Sequence, residues 1–346
     1  MAHRQVSYPA SWTKAGLGES AVLSVAPYVD RNGQRLPLVA NAELRVLVPI
    51  IRAQAAGPLL SIGDGLTRQS RGSGNVLGLV EVPAHASEAL ARVVTQRRRD
   101  LLRWIAATDD AVEPRAAPGL GILVRVVHDV ALGIREAAYE TNANTIVVEW
   151  PGLASRRPLL LESVIGNLSA NPPADLLLVR PSDAEAPFKA RARRILVPVR
   201  GGPNAKLALR VAAALAGAWQ ARFTVLHLTD PRHHPDRKAQ TAEELAFLLS
   251  QVATPAPELV DRETVNVGAA ILDAATGADL VVLGASAEPA ASSPVLVRAQ
   301  LAASLKRLTA AIVLVRTIES LRMAQPSAAK EPPLKPQRKW GSRQVR

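Results

Sequence analysis

Along this chain the apolar residues gather into short β-branched runs, separated by longer stretches in which apolar positions recur every three or four residues. Short runs bounded by turn residues read as strands buried on both faces, and the 3.6-residue period reads as amphipathic helix. In the C-terminal half the pattern predicts strands at 195–199, 223–228, 259–265, 280–283 and 312–315. A helix follows the first of them, because Leu207, Val211, Ala214, Leu215 and Ala218 share one face and Pro203 suits a first helical position. The N-terminal half repeats the scheme with strands at 46–50, 76–82, 122–127, 145–148 and 176–179. Its second helix, about 87–107, places Leu90, Val94, Leu101, Trp104 and Ile105 on one side and leaves Arg97, Arg98 and Arg99 on a solvated face.

The two halves also match in order. VLVPI at 46–50 recurs as ILVPV at 195–199, ANTIVV at 143–148 as ADLVVL at 278–283, and DLLLVR at 175–180 as AIVLVR at 311–316. Three matched segments in one order indicate a tandem duplication, with a first domain at 43–181, a linker at 182–192 and a second domain at 193–317. Strands alternating with helices predict βαβ units, and so an α/β fold of two tandem, doubly wound, five-stranded parallel sheets. Before the first domain, residues 1–42 form an extension in which 21–40 alternates weakly around the Asn-Gly of DRNGQ, a hairpin signal. After it, 318–346 is rich in Pro, Lys, Arg, Gln and Ser and reads as a disordered basic tail.

At 346 residues the chain exceeds what one core usually supports. Aromatic residues are 3% of it, so its cores must be built from Ala, Val and Leu. The absence of cysteine excludes disulfides, Cys-ligated zinc, iron–sulfur clusters and thiol catalysis. With no apolar leader and no window near the ~18 apolar residues of a membrane span, a soluble cytoplasmic protein is expected. The formal charge of +12 and pI near 10.7 suit an anionic partner. Arg greatly outnumbers Lys and Ala is abundant, which coding bias explains as readily, so nucleic acid is disfavoured as the partner.

Chemistry is sparse. Arg200, Gly201, Gly202 and Pro203 form a strand-to-helix turn whose free N–H groups could face an anion, with Arg200 beside the helix N-terminus, although turn geometry alone accounts for the two glycines and the proline. His233 and His234 lie with two aspartates in DPRHHPD at 230–236, but adjacent histidines lack the i, i+4 spacing of a helical zinc pair, and no metal site is expected. Glu149 and Glu162 could form an acid–base pair, yet nothing else supports hydrolytic chemistry, and a salt-bridged or solvated role fits better. No catalytic residue stands out, so no enzymatic activity is expected.

The strand, ILVPV, Gly-rich turn, amphipathic helix, GADLVVLGAS and closing AIVLVR resemble the universal stress protein family, twice over across about 43–317. VVEWPG and VLGLVEVP most resemble the tandem stress-protein modules on the cytosolic tails of amino-acid permease-like transporters. The resemblance implies the adenine-nucleotide alpha-hydrolase-like sheet order 3-2-1-4-5, with a ligand crevice beyond strands 1 and 4. Its ATP-binding members carry an Asp after strand 1, where this chain has Ile51 and Arg200, and a spaced Gly pattern after strand 4. In the first half Gly152 and Ser163 keep that pattern but Glu149 and Glu162 replace two glycines; in the second Gly284 remains, beside Ser286, while Ala287 and Val297-Arg298 depart. A carboxylate ~4 Å from a phosphate costs about 1 to 4 kcal/mol. Both nucleotide sites therefore look dismantled and no cofactor is implied.

The leading expectation is a non-enzymatic regulatory module that binds a membrane transporter, another protein or a small anion. One alternative is a nucleotide-binding stress protein with an altered pocket, resting on Gly152, Ser163 and Gly284. Another is a binder of anionic polymer or membrane surface through the basic tail. The two repeats are expected to pair as an intramolecular pseudo-dimer through 175–180 and 311–316, because an exposed strand reading LLLV or IVLV invites aggregation.

Overall fold

The structure is a computed structural model that describes residues 22–24, 43–52, 55–70, 72–82, 96, 99–100, 103, 120–150, 159–182, 192–201, 203–250, 256–285 and 299–318. A short strand β1 (Val22–Ser24) comes first. The first half then runs β2 (Arg45–Ile50), α1 (Ala56–Ser70), β3 (Ser73–Glu81), β4 (Gly121–Val127), α2 (Val130–Glu140), β5 (Thr145–Glu149), α3 (Leu159–Ala170) and β6 (Asp175–Arg180). The second half runs β7 (Arg194–Val199), α4 (Pro203–Trp219), β8 (Arg222–Thr229), α5 (Pro235–Ser250), β9 (Glu258–Glu263), α6 (Val267–Ala274), β10 (Leu280–Gly284), α7 (Ala299–Leu305) and β11 (Ala311–Arg316). Gln96, Arg99, Asp100 and Arg103, on the helix expected over 87–107, are helical and exposed; its apolar positions lie outside the described residues.

The strands form one eleven-stranded sheet in the order β1-β9-β8-β7-β10-β11-β6-β5-β2-β3-β4. Each half, taken alone, follows the order 3-2-1-4-5 with parallel neighbours. The expectation of two sheets needs correcting to one continuous sheet, because β6 and β11 pair antiparallel with Val313 opposite Val179 and Leu314 opposite Leu178. Leu176 to Val179 and Ile312 to Val315 are all buried, so pairing removes from water two backbone edges that neither half could cover alone.

Each face of the sheet carries one core that runs unbroken across the seam. On one face Leu59, Ile62 and Leu66 of α1 and Leu207, Val211 and Leu215 of α4 cover Val48, Val179, Val197 and Val313. On the other, Ile134, Ile165, Leu168, Ile271 and Leu305 cover Leu47, Leu178, Leu196 and Leu314. Helices α1 and α4 approach closely where they meet. A Cβ added at Gly65 would sit 3.0 Å from Leu215 Cδ2, and one at Gly217 would sit 2.8 Å from Gln69 Cδ.

Polar side chains anchor the seam and the strand starts. Arg180, buried at the end of β6, donates to the carbonyls of Leu305, Leu308 and Ala310, at and beyond the C-terminus of α7, where the helix dipole favours a cation. Asp175 Oδ1 accepts from Thr317 Oγ1 and Ile318 N, both at 2.9 Å. Before strand 4 of each half an acceptor side chain holds the start of strand 1: Asn144 Oδ1 takes Arg45 N at 2.9 Å, and Asp279 Oδ2 takes the N–H groups of Arg193 and Arg194 at 2.9 Å. The third helices are N-capped alike, by Asp129 and Asn266. They differ in length, 11 residues against 8, and their following turns pass through left-handed Asn142 (φ 48°) and Gly277 (φ 79°).

The extension reaches the far edge of the sheet. β1 pairs antiparallel with β9, Leu23 opposite Leu259. The expected Asn-Gly turn at 30–34 lies outside the described residues, as do most of the linker and most of the tail. From β1 to β2 the chain crosses eight strand spacings, about 38 Å at ~4.8 Å each. The 21 steps from Ser24 to Arg45 can span up to about 70 Å, more than that separation.

Arg180→Ala is expected to destabilise the chain by about 2–4 kcal/mol in urea unfolding, because three carbonyls lose a charged donor at a buried seam. Residues 182–317 alone should self-associate through the uncovered β11 edge in sedimentation experiments; a monomeric, soluble fragment at high concentration would contradict that role for the edge.

Candidate functional site

In an open parallel sheet the ligand crevice forms where strand order reverses, beyond the C-terminal ends of strands 1 and 4. In the first half these ends are Ile50 of β2 and Glu149 of β5. Ile51, at the position where the family's ATP-binding members carry Asp, is half-buried against the α2-side core. The next residue, Arg52, lies beside that strand end: its guanidinium reaches both carboxylate oxygens of Glu149, with Nε to Oε2 at 3.0 Å and Nη2 to Oε1 closer still. Glu149 is buried, its side chain 5% exposed, while that of Arg52 is 44% exposed. The carboxylate raises the guanidinium above its ordinary pKa, mainly through the hydrogen bond, with burial opposing.

The sequence favours a salt-bridged or solvated role for Glu149; the carboxylate is paired with Arg52 through both its oxygens. Ser163 lies exposed on α3; Gly152 and the side chain of Glu162 are outside the described residues. Sequence reasoning missed Arg52 because 97 residues separate the partners. The signal was available in the parallel pairing of β2 with β5, which places residues just beyond each strand side by side.

The second half fills the same place differently. Position 201 corresponds to 52 and is Gly201, whose φ of +88° suits glycine; a Cβ there would lie 3.7 Å from Glu244 Oε2 of α5. Arg200 is exposed on its rim. Asn204, in the first turn of α4 and 3% exposed, ties the helix to the residues just after β10 and β11: Nδ2 donates to Ala285 O at 2.8 Å and Oδ1 accepts from Thr317 N at 2.8 Å. Gly284 sits beneath it, where a Cβ would approach Asn204 Cβ to 3.1 Å. Close packing against Asn204 therefore accounts for Gly284, which the sequence pattern linked to phosphate. Gly202, Ser286, Ala287, Val297 and Arg298 lie outside the described residues.

The remaining polar candidates are held by neighbours. Arg232 contacts Asp230 through Nε at 2.9 Å and Nη2 at 2.7 Å and holds that carboxyl well below its usual range, and His234 Nδ1 lies 3.2 Å from Asp236. Among the described residues no group of three or more His, Asp or Glu is placed to hold a metal ion. Buried His227 faces Asp261 at 3.3 Å, and His128 Nδ1 lies 2.7 Å from Val82 O. No helix among the described residues is long and apolar enough to cross a membrane.

Residues 191–316 match the Universal stress protein family. No curated protein matches the chain. Among solved structures it is similar to a universal stress protein from Archaeoglobus fulgidus DSM 4304, at 13% identity over 79% of this chain and 96% of that one, with a TM-score of 0.52. It is also similar to the cytoplasmic domain of a prokaryotic cation chloride cotransporter, at 15% identity over 80% and 96%, with a TM-score of 0.52. What is shared at these identities is the fold: an α/β arrangement with a mostly parallel sheet, of the adenine-nucleotide alpha-hydrolase-like kind.

Removing one partner of the ion pair should reveal its asymmetry in urea unfolding. Arg52→Ala, which strands a buried carboxylate, is expected to cost about 2–3 kcal/mol, less than a fully buried pair because the guanidinium is half in water. Glu149→Gln, which leaves only the exposed partner unpaired and keeps an acceptor, should cost about 1 kcal/mol. In the second half, Asn204→Ala should cost about 2 kcal/mol by leaving Ala285 O and Thr317 N without their partner.

Proposed function

We propose that this chain is a non-enzymatic stress-protein module of the cytoplasm that works by binding, with both nucleotide crevices closed. The observation that carries the reading is the Arg52–Glu149 pair, which fills the first crevice with the chain's own charges. Three features of the second crevice support it: Glu244 beside the Gly201 turn, Asn204 beneath Gly284, and an arginine where the family's ATP-binding members have Asp. A phosphate chain entering there would meet a carboxylate and a helix end already engaged with two backbone groups.

The binding partner on this reading is a membrane transporter or another protein, with Arg200 offering a place for a small anion. The likeness of fold to a transporter's cytoplasmic domain supports that direction. Degenerate nucleotide sites suit such a role, since a module that transmits contact rather than nucleotide state gains from a crevice that stays shut. The halves act as one body on this reading, because their cores are shared across the seam.

The test is a thermal-shift and calorimetric panel on the full chain with Mg·ATP, AMP, cAMP and orthophosphate. A ligand at 100 times its Kd would add ~2.7 kcal/mol of stability. Mg·ATP is expected to give no shift, no heat and no phosphate release. Micromolar ATP binding or steady release of phosphate would overturn the reading.

A further inference from the structure

The halves also differ in how they end the sheet. At one side stands β9, reading ELVDRE with four charged residues in six, and β1 pairs along it. At the other side stands β4, reading GILVRVV, with one charged residue and no proline. Among the described residues no strand pairs with its outer edge. Charged side chains, proline and covering segments are what keep an open edge from pairing with another chain, and β4 has little of this. Its one charge, Arg125, is drawn onto the α2 side of the sheet by Glu136 and Glu140. The surroundings are apolar as well. Six large apolar side chains lie exposed among the described residues, and four of them, Ile122, Val126, Leu132 and Tyr139, belong to β4 and α2. Val76, opposite Ile122, lies in the core under α1, so Ile122, Val124 and Val126 line that side of the edge. On α2, Leu132 and Tyr139 share a stripe with Glu136 and Glu140, which their pairing with Arg125 turns toward β4.

The free backbone groups of this edge have a register of their own. Val82 N donates to Val127 O, and in a parallel ladder a residue directs its N–H and its C=O to the same neighbour. Counting back by twos, Gly121, Leu123 and Arg125 bond inward to β3 with Val127, while Ile122, Val124 and Val126 point theirs outward. That outward set is symmetric about Val124. A second copy running antiparallel, with a twofold axis at Val124, sets Val124 against Val124 and Ile122 against Val126, each pair exchanging two hydrogen bonds. It also sets Arg125 opposite Leu123, whereas an axis at Arg125 would oppose two arginines, which is destabilising.

We propose that β4 is a self-association edge, to which β4 of a second copy of this chain adds antiparallel about Val124. The sheet then runs on from copy to copy, as it runs from half to half through β6 and β11. The pairing covers Ile122 with Val126 of the other copy on one face, and on the other it places both α2 helices with Leu132 and Tyr139 turned toward the join. The second half has no equivalent edge to offer, since β1 lies along β9. The surface is separate from the switch-point crevices and stands whether or not those bind nucleotide.

The test is sedimentation velocity of the full chain up to about 500 µM. One strand edge and one helix stripe make an interface at the small end of specific ones, so a reversible dimer with Kd about 10–100 µM is expected. Val126→Lys, at a position already 48% exposed, should keep the melting temperature and weaken dimerisation at least tenfold. The register is read separately. The chain has no cysteine, so Val124→Cys supplies a single thiol, and across the twofold axis the two Cα atoms would lie about 5.5 Å apart, within reach of a disulfide. Mild oxidation should link that variant into a covalent dimer at least tenfold faster than Val265→Cys, whose thiol would stand exposed just beyond β9. If Val126→Lys is unfolded, the cross-linking comparison decides. A chain still monomeric at the top of the concentration range, a dimer that folded Val126→Lys leaves unchanged, or equal cross-linking of the two cysteine variants would overturn the proposal. So would a monomer that binds lipid vesicles and loses that binding in Val126→Lys, because the edge would then dock on a membrane.

Discussion

The antiparallel pairing of β6 with β11 is the constraint on which the rest of the molecule depends. Each half ends in a strand that is apolar on both faces, and a doubly wound half has no helix to place along that edge. Joining the two edges satisfies both backbones and aligns the flanking helices, so that each face becomes one core shared by both halves. The seam also buries charge. Arg180 loses water but finds three carbonyls near the end of α7, and Asp175 receives two donors from the segment after β11. Arg316, at the matching end of β11, is buried as well, and burial pushes its guanidinium below its ordinary pKa. These contacts cross from one half to the other, which makes the halves interdependent despite their parallel construction.

With the scaffold held in this way, the ends of the strands are free to differ. Beyond the switch-point strands of the first half Arg52 pairs with Glu149, while in the second half Asn204 of α4 packs over Gly284 and bonds to the segments after β10 and β11. The sheet order and strand-start anchors tolerate these changes because they are set by the interior, through Asn144 and Asp279 and the buried faces of the strands.

Much of this architecture could be read from the chain before folding. Buried parallel strands must be apolar along their whole length and amphipathic helices must repeat every 3.6 residues, so VLVPI, ILVPV, DLLLVR and AIVLVR announced strands, and their matched order announced two equivalent halves. The exposed LLLV and IVLV edges required a cover, which pointed to each other. What the chain alone did not disclose depended on side chains brought together from distant positions. Arg52 meets Glu149 across 97 residues, Arg180 reaches carbonyls 125 to 130 residues away, and Asn204 bonds to Thr317 across 113. Periodicity reports which face a residue occupies but not which polar group lies opposite it. Local pattern therefore determined the strands, helices and their order, while the merging of two sheets into one, the pairing of Arg52 with Glu149 and the packing of Asn204 over Gly284 were decided by tertiary packing, where charge and volume from separate segments must fit the same space.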